Sequence, residues 1–310
     1  IMKKILHLLI ALLVGWSSMA SAQGPSDQRA FNTKIADVLA LMPAPNKAQL
    51  NANMEAIAAL GEEGLATIAG MLANPGKGDN TPLQYAIAGY AFYVTQPGKE
   101  AARKQAVAAL CKVLPKTSDP ENKVFLITQL QTVGDNDAVS TLQSCLSDNR
   151  LCDPAARALV KINTPAAQEA LLHALSSASG DNRITLTEAL GDSRYTAAAA
   201  AIAPLAANAD KKLAKVALYA LAKIAAPASA PVLAAAAAKS GYTYDVTDAT
   251  ASYLTYAANL EDKNAAAKIA EDLLKQARAD GQVHTRTAAL KLLTAIRGEK
   301  SMPLLLAAAN

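Results

Sequence analysis

The residue types that most often perform catalysis or bind metals are few in this sequence of 310 residues. After the first 22 residues there are two histidines, His173 and His284, which lie in different segments. A zinc site needs three or four convergent ligands, and neither histidine has a second ligand at a suitable spacing nearby. The sequence also lacks the G-x-S-x-G, H-E-x-x-H and phosphate-loop motifs. We therefore predict no catalytic residue, no metal site and no cofactor.

Two cysteines lie seven residues apart in the segment CLSDNRLC, in which SDN is typical of a turn. A disulfide between Cys145 and Cys152 would close a short loop and stabilise the fold by about 2–3 kcal/mol. The alternative is a pair of buried free thiols on adjacent helices. Both interpretations stay open, while Cys111 is predicted to be a small buried apolar residue.

Four of the nine tyrosines cluster in one link and the helix that follows it. Tyr253 and Tyr256 are three residues apart and would share a helix face, and Tyr242 and Tyr244 lie just before them. Tyrosine suits binding surfaces because it combines an apolar ring with a polar tip. We predict that these four residues form a ligand surface; the alternative is that they pack in the core or in a loop.

The first 22 residues, IMKKILHLLIALLVGWSSMASA, match the pattern of a secretory signal peptide. Lys3 and Lys4 precede an apolar run, and a small-residue cleavage motif ends at Ala22. The run is short for a membrane span, which needs roughly 20 apolar residues. We expect an exported bacterial protein, periplasmic or extracellular. Loss of the two lysines would lower the net charge from +4 to +2, which argues against nucleic-acid binding.

The rest of the chain repeats one pattern: an apolar helix, a small or polar turn residue, a polar corner and a second apolar helix. The turn residues, such as Gly134, Gly191 and Ala225, recur at intervals of 28 to 39 residues. Alanine, the best helix former, dominates these segments, including residues 196–209, which we expect to be a second helix. Such periods are typical of stacked repeats. We predict an all-α fold, an α-solenoid of about eight stacked helical hairpins.

The units resemble short HEAT-type repeats, which are similar to armadillo repeats. The segments Val133-Gly134-Asp135, Leu190-Gly191-Asp192 and DPAARAL from Asp153 carry the resemblance. It covers residues 50–310, preceded by an N-terminal segment with a capping helix over residues 23–49. The resemblance implies a HEAT-like superhelix. The chain also resembles the N-terminal region of secreted multidomain proteins of Bacteroidetes type, in which a sugar-active domain follows.

We therefore expect a non-enzymatic protein-interaction scaffold that binds a protein partner or presents a linked domain. The alternative is the N-terminal arm of a larger sugar-active hydrolase whose catalytic domain is missing here. The apolar segment SMPLLLAAAN at the end of the sequence favours a natural chain that continues past Asn310. After signal cleavage we expect no membrane span and no nucleic-acid partner.

Overall fold

The computed structural model describes the backbone of residues 25–309 and the side chains of residues 28–306. All regular secondary structure in this part of the chain is helical, which confirms the all-α prediction. The predicted signal peptide, residues 1–22, lies outside the described residues. Among the helices described, none is both long enough and apolar enough to cross a membrane.

After an N-terminal helix, α1 (Pro25–Ala40), the described residues form eight helical pairs, here called repeats 1 to 8. In repeat 1 both helices lie within α2 (Lys47–Gly70), which bends sharply at Gly61. The first helices of repeats 2 to 8 are α3 (Thr81–Tyr93), α5 (Pro120–Val133), α7 (Cys152–Ile162), α9 (Gly180–Asp192), α11 (Lys211–Ile224), α13 (Ala249–Asn259) and α15 (Val283–Arg297). The second helices are α4 (Glu100–Val113), α6 (Val139–Gln143), α8 (Pro165–Ser177), α10 (Ala199–Ile202), α12 (Ala230–Lys239), α14 (Lys263–Gln276) and α16 (Met302–Ala309).

Side chains in the polar corners and links fix where many of these helices begin and end. Asp119, Thr164 and Asp262 each accept a hydrogen bond from a backbone N–H in the first turn of the helix that follows. These bonds satisfy donors that the helix itself leaves free. The first helices α7 and α11 end at Asn163 and Ala225, which adopt left-handed backbone conformations. The corners therefore reverse the chain as the sequence pattern predicts.

The core is a continuous stack of small and branched side chains between neighbouring helices. One apolar cluster extends from Ile35 to Ala266, and a smaller one extends from Ala267 to Leu293. Two first helices approach closely at Gly191 on α9, where a Cβ would lie 2.6 Å from the Cα of Ala220 on α11. Glycine and alanine therefore let successive first helices pack backbone against backbone. This arrangement confirms the predicted α-solenoid of about eight stacked helical hairpins.

Two second helices are much shorter than the sequence predicts. The apolar run from Ala138 to Leu146 is α-helical only over α6; Ala138 ends a short 3-10 segment, and a series of turns follows Gln143. The alanine-rich stretch 196–209 is broken into α10, which has four residues, and two 3-10 segments. Pro204 lies in the second of these segments and lacks the backbone N–H that an α-helix requires. The prediction of one alanine helix over residues 196–209 was therefore wrong.

Three buried polar side chains, one in each of repeats 3, 5 and 8, bind an earlier link of the chain. In each case this is the link that follows the repeat two places earlier. Each of these side chains belongs to the third residue of a first helix, and each donates a hydrogen bond to a main-chain carbonyl; we call these bonds the link ties. They are Asn122 Nδ2 to Ala73 O at 3.0 Å, Asn182 Nδ2 to Ser147 O at 3.4 Å, and Thr285 Oγ1 to Tyr242 O at 2.7 Å. The link ties therefore connect parts of the solenoid that are not sequential neighbours.

Candidate functional site

The predicted tyrosine surface is divided between the core and the outside of the solenoid. Tyr256 is 2% exposed and belongs to the main apolar cluster. Tyr253 is half-buried, and its ring centroid lies 6.4 Å from that of Tyr256. Burial raises the pKa of both phenols. Tyr256 was therefore wrongly assigned to a surface, because spacing of three residues places two side chains on one face without showing which way that face points.

Tyr242 and Tyr244 lie in the link between repeats 6 and 7. The Tyr242 hydroxyl donates a hydrogen bond to the side chain of Gln276. Tyr244 is 77% exposed, and its ring stacks on His284 with the ring centroids 3.9 Å apart. A ligand surface that contains Tyr242, Tyr244 and the exposed part of Tyr253 stays a prediction.

The histidines and carboxylates do not converge in the part of the chain that is described. No group of three or more His, Cys, Asp or Glu residues there could hold a metal ion. His284 stacks against Tyr244, and its Nε2 atom is buried without a hydrogen-bond partner. His173 is exposed on α8, at the edge of a groove.

Cys145 and Cys152 are present as buried free thiols, which corresponds to the second of the two interpretations. Burial raises the pKa of the Cys152 thiol to about 11, with a further contribution from the carboxylate of Asp153. Burial also raises the pKa of Cys145. Because the thiolate is the reactive form, these two groups are poor nucleophiles at neutral pH. A disulfide between them stays a prediction.

Two aromatic side chains on α3 are exposed on the first-helix surface of repeat 2. Tyr85 is 53% exposed and Phe92 is 69% exposed. The two residues are seven positions apart, which places them on one helix face, and we call them the aromatic pair. Tyr90 and Tyr93 in the same helix are buried. The sequence shows four aromatics in this segment, but their periodicity alone does not separate the exposed pair from the core.

A groove of about 520 Å³ lies between the second helices of repeats 3 and 4, and we call it the 3/4 groove. One wall consists of α6 and the turns after it. The other wall consists of α8 and the start of α9. The groove lining is polar but carries no carboxylate, lysine or arginine. The lining residues are Ser140, Gln143, Ser144, Leu146, Ser147, Asn149, His173, Ala174, Ser177, Ala178, Ser179 and Asn182.

Two other grooves of similar size between neighbouring helices carry charged side chains. The groove between α2 and α4 is lined by Glu63, Lys112 and Lys116. The groove between α7 and α9 contains charged groups of both signs, including Arg157 and Asp192. The uncharged lining of the 3/4 groove is therefore a local property of repeats 3 and 4 and not a general property of the solenoid.

The comparison with protein families agrees with this architecture. A family model described as HEAT repeats matches residues 107–191, from the second half of α4 to the end of α9. No curated protein matches the chain. The helical pairs and this match together show that the chain is a HEAT-like helical repeat protein. Stacked repeats of this kind present extended surfaces to other molecules, which indicates a protein-interaction scaffold in general terms.

Proposed function

We propose that this chain is an exported, non-enzymatic scaffold that binds a protein partner through the first-helix surface of repeat 2. The observation that carries the proposal is the aromatic pair, because Tyr85 and Phe92 expose more than half of their accessible surface to solvent. Aromatic side chains are enriched at protein interfaces and often supply most of the binding free energy. Export is expected from the pattern of residues 1–22.

The aromatic pair lies on a rigid support. Beneath it, Ile87 and Tyr90 are each 1% exposed and belong to the main apolar cluster. One helical turn rises about 5.4 Å, so the two exposed rings are spaced about 10 Å apart along the helix axis. Two anchors at a fixed spacing fit a partner that offers two apolar pockets, and little conformational entropy is lost on binding.

The test of binding uses the protein without residues 1–22 and a photo-reactive amino acid at position 92. We expect a discrete protein from the envelope or medium of the source cells to cross-link there, and we expect Tyr85→Ser to reduce the yield. The same photo-reactive group at position 244 is the control, because Tyr244 is also an exposed aromatic residue. Equal cross-linking of the same proteins at both positions would contradict the proposal.

Export is tested separately by fusing residues 1–22 to a phosphatase that is active only outside the cytoplasm. We expect phosphatase activity that is lost when the apolar run is interrupted by two arginines. An inactive fusion that stays in the cytoplasm would contradict the assignment of a signal peptide without affecting the binding test.

In a second form of the scaffold function, the chain presents a linked domain. One example is a chain that serves as the N-terminal arm of a sugar-active hydrolase. The exposed apolar side chains of α16 favour this form, because Met302 is 51% exposed and Leu306 is 60% exposed. Such side chains are suited to packing against a neighbouring apolar surface. Reading the gene beyond the codon for Asn310 tests this form; an open frame that encodes a further domain would support it, and a stop codon would contradict it.

A further inference from the structure

We infer that the 3/4 groove binds an extended, uncharged polypeptide segment by hydrogen bonds to its main chain. The inference rests on the proposed scaffold function and adds a second surface to it, on the second helices of repeats 3 and 4. It is carried by the shape of the groove, by its free hydrogen-bonding groups and by its lack of charge.

The second helix of repeat 3, which borders the groove, is short. α6 has five residues, whereas its neighbour α8 has thirteen. The chain after Gln143 continues in turns, and these turns border the groove opposite the second half of α8. Ala174 and Ala178 are half-buried and provide apolar surface inside the groove, whereas Leu146 is only 2% exposed. An elongated surface is therefore left open along α8.

The groove continues past α6 toward the corner of repeat 3. A second cavity of about 510 Å³ shares Ser140, Gln143 and His173 with it and extends to Asn136. The helix α8 alone is about 20 Å long at 1.5 Å per residue. An extended chain advances about 3.3 Å per residue, so the groove accommodates about six residues of a ligand. The dimensions fit a linear segment better than a compact small molecule.

The groove displays hydrogen-bonding side chains that make no bond to other side chains or to the backbone among the residues described. These are Ser140, Gln143, Ser147, Asn149, His173 and Ser179. Amide and hydroxyl groups can each donate and accept. A polypeptide offers one donor and one acceptor per residue, so such groups can pair with its main chain whatever its side chains are.

One member of the lining is held in place by the fold. Asn182 is 8% exposed, and its Nδ2 atom donates the link tie to Ser147 O. Its Oδ1 atom accepts no hydrogen bond from the described residues. An oriented amide at the end of the groove provides a fixed acceptor for a backbone N–H group of the ligand.

The lack of charge selects the chemistry of the ligand. Among the residues that line the two joined cavities, Glu169 carries the one formal charge, and it lies outside the 3/4 groove. A charged ligand side chain would lose hydration in the groove without gaining a partner of opposite charge. No tyrosine, phenylalanine or tryptophan, the residues with large aromatic rings that could stack on a sugar, lines either cavity. An uncharged peptide is therefore favoured over both a charged peptide and a glycan.

The experiment selects peptides from a displayed library of random ten-residue sequences on the protein without residues 1–22. The selected peptides are then measured against Ser140→Arg, which places bulk and charge in the groove at an exposed position. The matched control is Ser176→Arg, an exposed serine on α8 that does not line the groove. We expect Ser140→Arg to weaken binding at least tenfold and Ser176→Arg to change it less than twofold, with equal melting temperatures for both variants.

We further expect the selected peptides to lack charged residues at their centre, and a central lysine to weaken binding at least tenfold. The inference would be overturned if no peptide were selected, if Ser140→Arg bound as well as the wild type, or if neutral oligosaccharides bound in a Ser140→Arg-sensitive manner instead. The variant with Tyr85→Ser and Phe92→Ser should bind the selected peptides normally, which separates this result from a failure of the aromatic pair.

Discussion

At the scale of single residues, the unpaired hydroxyl of Tyr90 is an unfavourable group in the core. Tyr90 is 1% exposed, and its hydroxyl oxygen is buried without a hydrogen-bond partner in the described part of the chain. Burial is the main cause of its raised pKa, and Tyr93 adds to the effect. A buried polar group without a partner destabilises a fold by about 1–3 kcal/mol.

Tyr90→Phe should therefore raise the free energy of unfolding by about 1–2 kcal/mol, because the ring stays and the unpaired hydroxyl is removed. Urea unfolding followed by circular dichroism measures the change. Tyr85→Phe is the control, since its hydroxyl is on the exposed surface, and it should change stability by less than about 0.5 kcal/mol. A lower midpoint for Tyr90→Phe would show that its hydroxyl has a partner.

Gly191→Ala tests the close approach of α9 and α11. Alanine normally stabilises a helix relative to glycine by about 1 kcal/mol. Here the new Cβ would lie 2.6 Å from Ala220 Cα and 2.8 Å from Ala220 Cβ. The backbones must separate, so we expect a loss of about 1–3 kcal/mol. Gly70→Ala, with no atom within 4 Å of the new Cβ, should not destabilise, and equal effects of the two changes would contradict the packing argument.

At the scale of elements, the sequence periodicity predicted the number and order of the helical pairs, because apolar spacing and turn residues act locally. It failed where a local preference was overridden. Alanine favours a helix over residues 196–209, but Pro204 interrupts it. The 3/4 groove could not be predicted either, because it forms between segments that are distant in sequence and that share no motif. Likewise, the burial of Tyr256 depends on which neighbouring helix covers it.

Arg103 connects two elements from neighbouring repeats. Its Nε atom donates to Val133 O at 2.6 Å and its Nη2 atom donates to Gly134 O at 3.1 Å, at the end of α5. A cation there also interacts favourably with the carboxyl end of the helix. The arginine on α4 therefore satisfies carbonyl groups that α5 leaves free.

Arg103→Met keeps much of the side-chain length but removes these bonds. We expect it to lower the free energy of unfolding by about 1.5–3 kcal/mol, measured by urea denaturation. Lys104→Met, at the adjacent and exposed position, should have little effect. If both variants unfolded at the wild-type midpoint, the bonds of Arg103 would contribute nothing measurable to the joining of repeats 2 and 3.

At the scale of the whole molecule, the link ties alter how unfolding should spread. In a simple solenoid each repeat contacts only its neighbours, and unfolding can begin at an end and proceed repeat by repeat. The tie from Thr285 to Tyr242 O joins α15 to the link between repeats 6 and 7. These two segments should therefore open together.

Thr285→Val preserves shape and removes the donor. We expect faster hydrogen exchange at the amides of both residues 240–248 and α15, and a loss of about 1–3 kcal/mol because Tyr242 O loses its bond. Thr287→Val is the control on the exposed side of α15. Faster exchange confined to α15 would show that the tie does not couple the two segments.

The positions of the link ties also determine where the chain can be divided. A cut in most of the links would place the two partners of a tie in different fragments. No tie crosses the segment between Ala207 and Lys211, which separates repeats 1 to 5 from repeats 6 to 8. Two fragments divided there would each retain their own ties and would reassociate through the close contact of Gly191 with Ala220. We therefore expect two halves divided at this segment to assemble by fragment complementation.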